Sequence, residues 1–316
     1  MPISQQEAIA GLHVLVAVAQ ADGRLDARER DVLDAAIREA GLDDVVNAQD
    51  LFDDTFDLAP HLDLLQSPEA REEVFRSAYS LACADGERSP EESALLAKIR
   101  VEFGIPSEHE DELRRVFDRL LADPAQPRSY VSRIDDADER SRAVRSATLK
   151  CSIVSAVLGA FPFPGFAILT DLAALYLQIE LVRDIATMHG QEIGKTRARA
   201  LLAAVGLGTT ARLAVSNLAK LLPGWGSVVG ATTSFASSYG AGLAFDKHFA
   251  AGLDEAGLAR AFEEAREEGK REYHANKAEI EAKSQKAKAV LADLAERRRA
   301  GTLDDAELQE RIGKIE

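Results

Sequence analysis

The chain is predicted to be all-α, from its composition, its hydropathy pattern and its helix-end signals. Alanine, leucine, glutamate, arginine and aspartate dominate, and aromatic residues make up only 6%. No stretch sustains the polar/apolar alternation of a strand. Capping spacings and terminating glycines recur along the chain, as at Ser89-x-x-Glu92 followed by Gly104. At 316 residues, two or three folded units are expected.

The net charge of −15 is unevenly spread. Residues 1–123 hold 12 Lys+Arg against 28 Asp+Glu, a net of −16, and the remainder is close to neutral at +1. A segment that acidic repels phosphate backbones, so nucleic acid is excluded as its partner, and cations or basic protein surfaces suit it better. The two cysteines, Cys83 and Cys151, stand in apolar surroundings and make no disulfide framework, which points to a reducing compartment. The N-terminus shows no basic region leading into an apolar core and cleavage site, so no secretory signal is expected.

The acidic head, residues 1–123, contains an ungapped internal repeat at an offset of 63 residues. Ala19–Leu42 aligns with Ala82–Ile105, anchored by Ala21/Ala84, Asp22/Asp85, Gly23/Gly86, Glu29/Glu92, Leu33/Leu96 and Gly41/Gly104. Each copy reads as helix end, tight turn and new helix. Gly23 and Gly86 suit the left-handed residue that ends a helix. Asp26-x-x-Glu29 and Ser89-x-x-Glu92 are capping boxes, with Pro90 at the first helical position. Bridging helices are expected near Leu51–Leu65 and Glu69–Ala84.

The same turns place carboxylates close together. Asp22, Gly23, Leu25 and Glu29 match the fifth, sixth, eighth and twelfth positions of a calcium loop. The first and third positions are Val18 and Gln20, and in the second copy Leu81 and Cys83, which supply no carboxylate. An EF-hand is therefore excluded. Two readings remain for Asp22, Asp26, Glu29, Asp85 and Glu92: helix caps facing solvent, or water-mediated ligands of a divalent cation such as calcium or magnesium. The paired A-x-A-D-G…E segments resemble the TerB-like family of tellurite-resistance proteins over about Gln5–Leu121. That resemblance implies a helical domain with an acidic face at the two turns, proposed to bind metal ions and to serve in stress-response complexes.

Pro124 and Pro127 end the head, and a linker with a polar helix occupies residues 124–149. Its basic end at Lys150 meets Cys151–Thr170, twenty residues without a charge. Pro162 and Pro164 break that run, so a short helix Ser152–Ala160, a turn and a second helix Ala167–Met188 are expected. In the second helix Asp171 and Gln178 share a face. Pro223–Phe245 is a further uncharged run of 23 residues, with Gly226-x-x-x-Gly230, Gly240 and Gly242 offering close helix approach. Its length approaches that of a spanning helix, so residues 150–250 are expected to associate with a membrane or to cover their apolar faces in an oligomer. Pro162–Ile193 resembles the apolar domain of YcjF-like proteins, which is also found beside some stress-induced GTPases, and the likeness covers about Lys150–Gly252. It implies membrane association and work alongside other proteins rather than catalysis.

Two features imitate chemistry. Gly190–Thr196 resembles a phosphate loop but has three residues between its glycines where four are needed, and it follows a helix. The six histidines form no HExxH pattern, and no G-x-S-x-G or Cys/His arrangement supplies a nucleophile. Residues 251–316 read as a long charged helix with a weak apolar line, ended by a hairpin in which Asp304-x-x-Glu307 caps the last helix. That hairpin resembles the SHOCT module, a short oligomerisation or anchoring motif.

Together these features predict a non-enzymatic, membrane-associated bacterial stress-response protein on the cytoplasmic face of the inner membrane. Its head senses cations or docks a partner, and its tail favours a homo-oligomer. The alternative is a soluble cytoplasmic adaptor or regulator of a stress-induced GTPase.

Overall fold

The computed structural model describes residues 4–21, 34, 37–38, 58–82, 89–121, 131–160, 167–207 and 226–299. Every regular element among them is an α-helix, in agreement with the expected class. Contacts divide the chain into two compact units. One comprises Met1–Arg119, Pro162–Ile168 and Gly208–Val229, and the other Leu120–Phe161, Leu169–Leu207 and Gly230–Glu316.

In the first unit α1 (Gln5–Ala19) packs against α2 (Ala59–Leu64), α3 (Pro68–Ala82) and α4 (Pro90–Phe103), and α5 (Ser107–Leu121) follows. The helix ends are written in the sequence. Ser89 caps α4, Pro90 occupies its first turn, and Gly104 closes it at φ +67°, where a Cβ is disfavoured. Ser4 and Glu7 form a capping box on α1. The core is continuous, with Val14, Leu15, Leu65, Val74, Phe75, Tyr79 and Ile99 all buried. Hydrophobic burial of this kind is the main force holding such a unit together.

The second unit contains α6 (Ala137–Gly159), α7 (Ala167–Met188), α8 (Lys195–Ala204), α9 (Gly226–Ala251) and α10 (Glu255–Arg299). Asp136 caps α6 by accepting the Glu139 N–H at 2.7 Å. One helix thus carries both the charged connector and the first apolar run. Its first half shows one face inward, and from Ser152 to Gly159 it is buried on all sides. On the inward face of that first half, Val144 clusters with Leu181, Ile185 and Met188, and Ile134 and Phe249 pack against them. The segment before α6 is tied on by backbone: the Ile134 N–H donates to the Met188 carbonyl at 3.0 Å.

The stretch expected to have the most spanning character is described from Gly226 onward, as α9. Its residues 235–245 are buried without interruption. Glycine and serine allow that. At Gly159 a Cβ would meet Ser234 and the Gly230 carbonyl, and at Gly242 it would meet Thr148, so α6 and α9 approach closely. At Gly240 a Cβ would lie 3.1 Å from the Arg266 Cα, and at Gly269 it would lie 3.0 Å from the Ala236 Cα, a second close approach, between α9 and α10. The small residues are used for helix packing within the chain. No described helix is long and apolar enough to cross a membrane. The run approaches spanning length, but serine, threonine and glycine lower the hydropathy of its described part, α9.

Candidate functional site

Of the five carboxylates singled out in the head, Asp22, Asp26, Glu29 and Asp85 lie outside the described residues. Glu92 is described. Its Oε2 accepts the Ser89 N–H at 2.8 Å, while its own N–H donates to Ser89 Oγ at 3.0 Å. This carboxylate therefore serves the helix end directly, as the capping spacing requires. Among the described residues no group of three or more His, Cys, Asp or Glu is placed to hold a metal ion.

Glu72 and Glu110 of the first unit each face an arginine. Glu72 lies 2.8 Å from Arg76 and 3.0 Å from His109 Nδ1, and Glu110 lies 3.2 Å from Arg100. Two arrangements there were not read from the sequence. The rings of His13 on α1 and His61 on α2 stack at 4.1 Å, a pairing between residues 48 apart that no local pattern signals. Glu7 reaches past its own cap to Ser67 at the start of α3, accepting its hydroxyl at 2.7 Å. The Ser4-x-x-Glu7 spacing is that of a capping box that the sequence reading did not single out, and the bridge to Ser67 has no local signature.

The second unit holds a polar line inside its core. Gln178 Nε2 on α7 donates to Ser238 Oγ on α9 at 3.0 Å, and Ser238 donates to Ser155 Oγ on α6 at 2.9 Å. Cys151 joins the same line: burial pushes its thiol up to about 12, despite hydrogen bonds with Ser155 and Ser238 that lower it. A thiol in that state is a poor nucleophile. Gln178 therefore faces inward, whereas the side chain of Asp171 lies outside the described set. Near the ends of α7 and α9, His189 Nε2 sits 2.8 Å from Asp246 Oδ1. The Gly190–Thr196 segment forms the turn before α8, which starts at Lys195 with Gly194 as its cap. Lys195 is buried, with its ammonium 5.1 Å from the centre of the Tyr176 ring. This is helix–turn–helix geometry and not the strand–loop–helix of a phosphate loop.

Comparison with protein families decides the character of the first unit. Residues 8–115 match the family model of tellurite resistance protein TerB. The TerB-like region spans about a third of the chain and coincides with the acidic head. Most of α1, all of α2 to α4, the capped turn at Ser89 and the Gly104 terminator fall within it. No curated protein matches the chain, and no solved structure matches it.

Proposed function

We propose that the chain is a non-enzymatic stress-response protein of tellurite-resistance type. Its TerB-like head takes a divalent cation or a basic protein surface, and its second unit is a scaffold for a protein partner. The match over residues 8–115 carries this reading. The net charge of −16 over residues 1–123 supports a cationic ligand, because like charge would have to be neutralised for the head to tighten.

The likeness of the centre to YcjF-like domains supports work beside other proteins, either at the membrane or with a stress-induced GTPase. The packing favours the adaptor over the anchor. Among the described residues the exposed large apolar side chains are Leu64 and Val101, both in the first unit. Among the described residues the second unit buries its large apolar side chains within the chain, which supports the adaptor reading.

Calorimetry of the full chain with calcium, magnesium and zinc tests the cation role, and binding weaker than millimolar would leave the docking role alone. Membrane fractionation tests the second choice. Release by high salt or carbonate supports the adaptor, and retention through both treatments would restore the anchor.

A further inference from the structure

The long helix α10 has two different faces. Its inner face buries Leu258, Phe262, Tyr273, Ile280 and Ala287, and the helix packs against α6 and α8. On the opposite side of its second half lie Ala275, Ala278, Ala282, Gln285, Ala289 and Ala292, every one exposed. Their spacing alternates three and four, which is the seam of a heptad repeat. At about 100° per residue this seam is centred roughly half a turn away from the inner stripe, so packing within the chain leaves it open.

Alanine on an exposed helix is ordinary on propensity grounds, and the seam alone decides nothing. The flanking charges decide. On one side of the seam stand His274, Glu281 and Lys288, and on the other Glu279, Lys286 and Asp293, all exposed. If two copies lie parallel and in register, each residue on the first side faces one five positions further on in the other copy. That sets His274 against Glu279, Glu281 against Lys286 and Lys288 against Asp293. The two lysine pairings are opposite in charge, the imidazole can donate a hydrogen bond to Glu279, and symmetry repeats each one. Gln285 then faces Gln285, and the two amides can bond each other, the kind of polar seam contact that fixes register. An antiparallel pair would instead bring Asp293 beside Glu272 and set Gln285 against alanine.

We propose that this outer face of α10, residues 274–293, is the surface on which a second copy of the chain docks, as a parallel in-register helix pair about 30 Å long. The existing partners of these charges do not compete strongly. Glu281 lies 3.7 Å from Lys277, and Glu279 lies 3.8 Å from Lys283, both as exposed pairs one turn apart. Such pairs contribute little. Alanine seams bury little area per residue, so the association is modest and dependent on concentration. The pairing does not depend on what the head binds.

Sedimentation of the full chain over about a hundredfold range of concentration is the test. The native chain is expected to shift from monomer to dimer. Lys286→Glu sets a second carboxylate against Glu281 and is expected to weaken the dimer by about tenfold or more. The charge swap Glu281→Lys with Lys286→Glu is expected to restore it, because the two positions then carry opposite charges again. In an antiparallel pair Glu281 would face Lys288, so the swap would set two ammonium groups together and fail. A native chain that stays monomeric throughout overturns the proposal, as does a dimer indifferent to Lys286→Glu. A swap that fails to restore the dimer overturns the parallel register. Unchanged helical circular dichroism in each variant shows that folding is not the cause.

Discussion

The carboxylate of Glu7 holds the starts of two helices at once, accepting the Ser67 N–H at 2.9 Å through Oε1 and the Ser4 N–H at 2.9 Å through Oε2. Burial alone would raise its pKa. The N–H and hydroxyl groups of Ser4 and Ser67 outweigh burial and hold it at about 2, below the ordinary 4.5. Because the folded value is the lower one, this contribution is complete above 4.5 and is lost as pH falls from there toward about 2. Glu7→Gln is expected to cost about 1–2 kcal/mol at neutral pH, comparable to the loss of a helix cap with its charge-assisted bonds. Urea unfolding of the head at several pH values checks it: the gap between native and variant midpoints should narrow through that acid window.

The close approach of α6 and α9 gives a second expectation. A methyl group at position 159 would press on Ser234 and lie 2.7 Å from the Gly230 carbonyl oxygen, and backbone cannot rotate away. Gly159→Ala should therefore destabilise the second unit by about 1–3 kcal/mol through overpacking. At Gly206 nothing lies within reach of a Cβ, and the strain comes only from φ +75°. Gly206→Ala should cost less, about 1–2 kcal/mol, through the left-handed backbone alone. Thermal unfolding of the two variants side by side separates steric crowding from backbone strain, and equal losses would contradict the packing argument.

The polar line across α7, α9 and α6 is a third case. Ser238 accepts from Gln178 and donates to Ser155, so Ser238→Ala leaves a buried amide and a buried hydroxyl without these partners. The expected loss is about 1–3 kcal/mol, the cost of stranding buried polar groups. Replacing Gln178, Ser238 and Ser155 together by apolar residues of similar size should recover much of it. A triple variant weaker than the single one would show that these bonds stabilise the unit beyond mutual satisfaction.

Cys151 offers a chemical readout of the same core. With its thiol pushed up to about 12, thiolate is scarce at mildly alkaline pH. In a Cys83→Ser background, alkylation of the native protein at Cys151 is expected to be slow and to accelerate on urea unfolding. Labelling at the rate of a free thiol in the folded chain would contradict the raised thiol.

Much of the architecture was legible because helix ends are local. Ser89, Pro90, Glu92 and Gly104 lie within sixteen positions and specify where α4 starts and stops, and they do so in the structure. The 63-residue repeat lies within the region that matches the TerB family model, while most of its first copy and the Asp85–Gly86 turn of its second lie outside the described residues. The carboxylates chosen for cation binding are another matter. Of these, Glu92 is described, and it serves its own helix end.

Amino-acid order by itself determined the helical class, the acidity of the head and the small-residue character of α9, since each follows from composition or from spacing within one or two turns. Only the tertiary structure decided which surfaces those residues meet. Glycines 240 and 242 read in one dimension as a surface for close helix approach, in membrane or in water. In three dimensions they are filled by Arg266 and Thr148 of the same chain, and Gly159 and Gly269, which carried no such reading, lie as closely against Ser234 and Ala236. Hydropathy records that a face must be covered and leaves open what covers it. That choice depends on long-range contacts such as Gln178 with Ser238 and Glu7 with Ser67, each joining residues sixty positions apart.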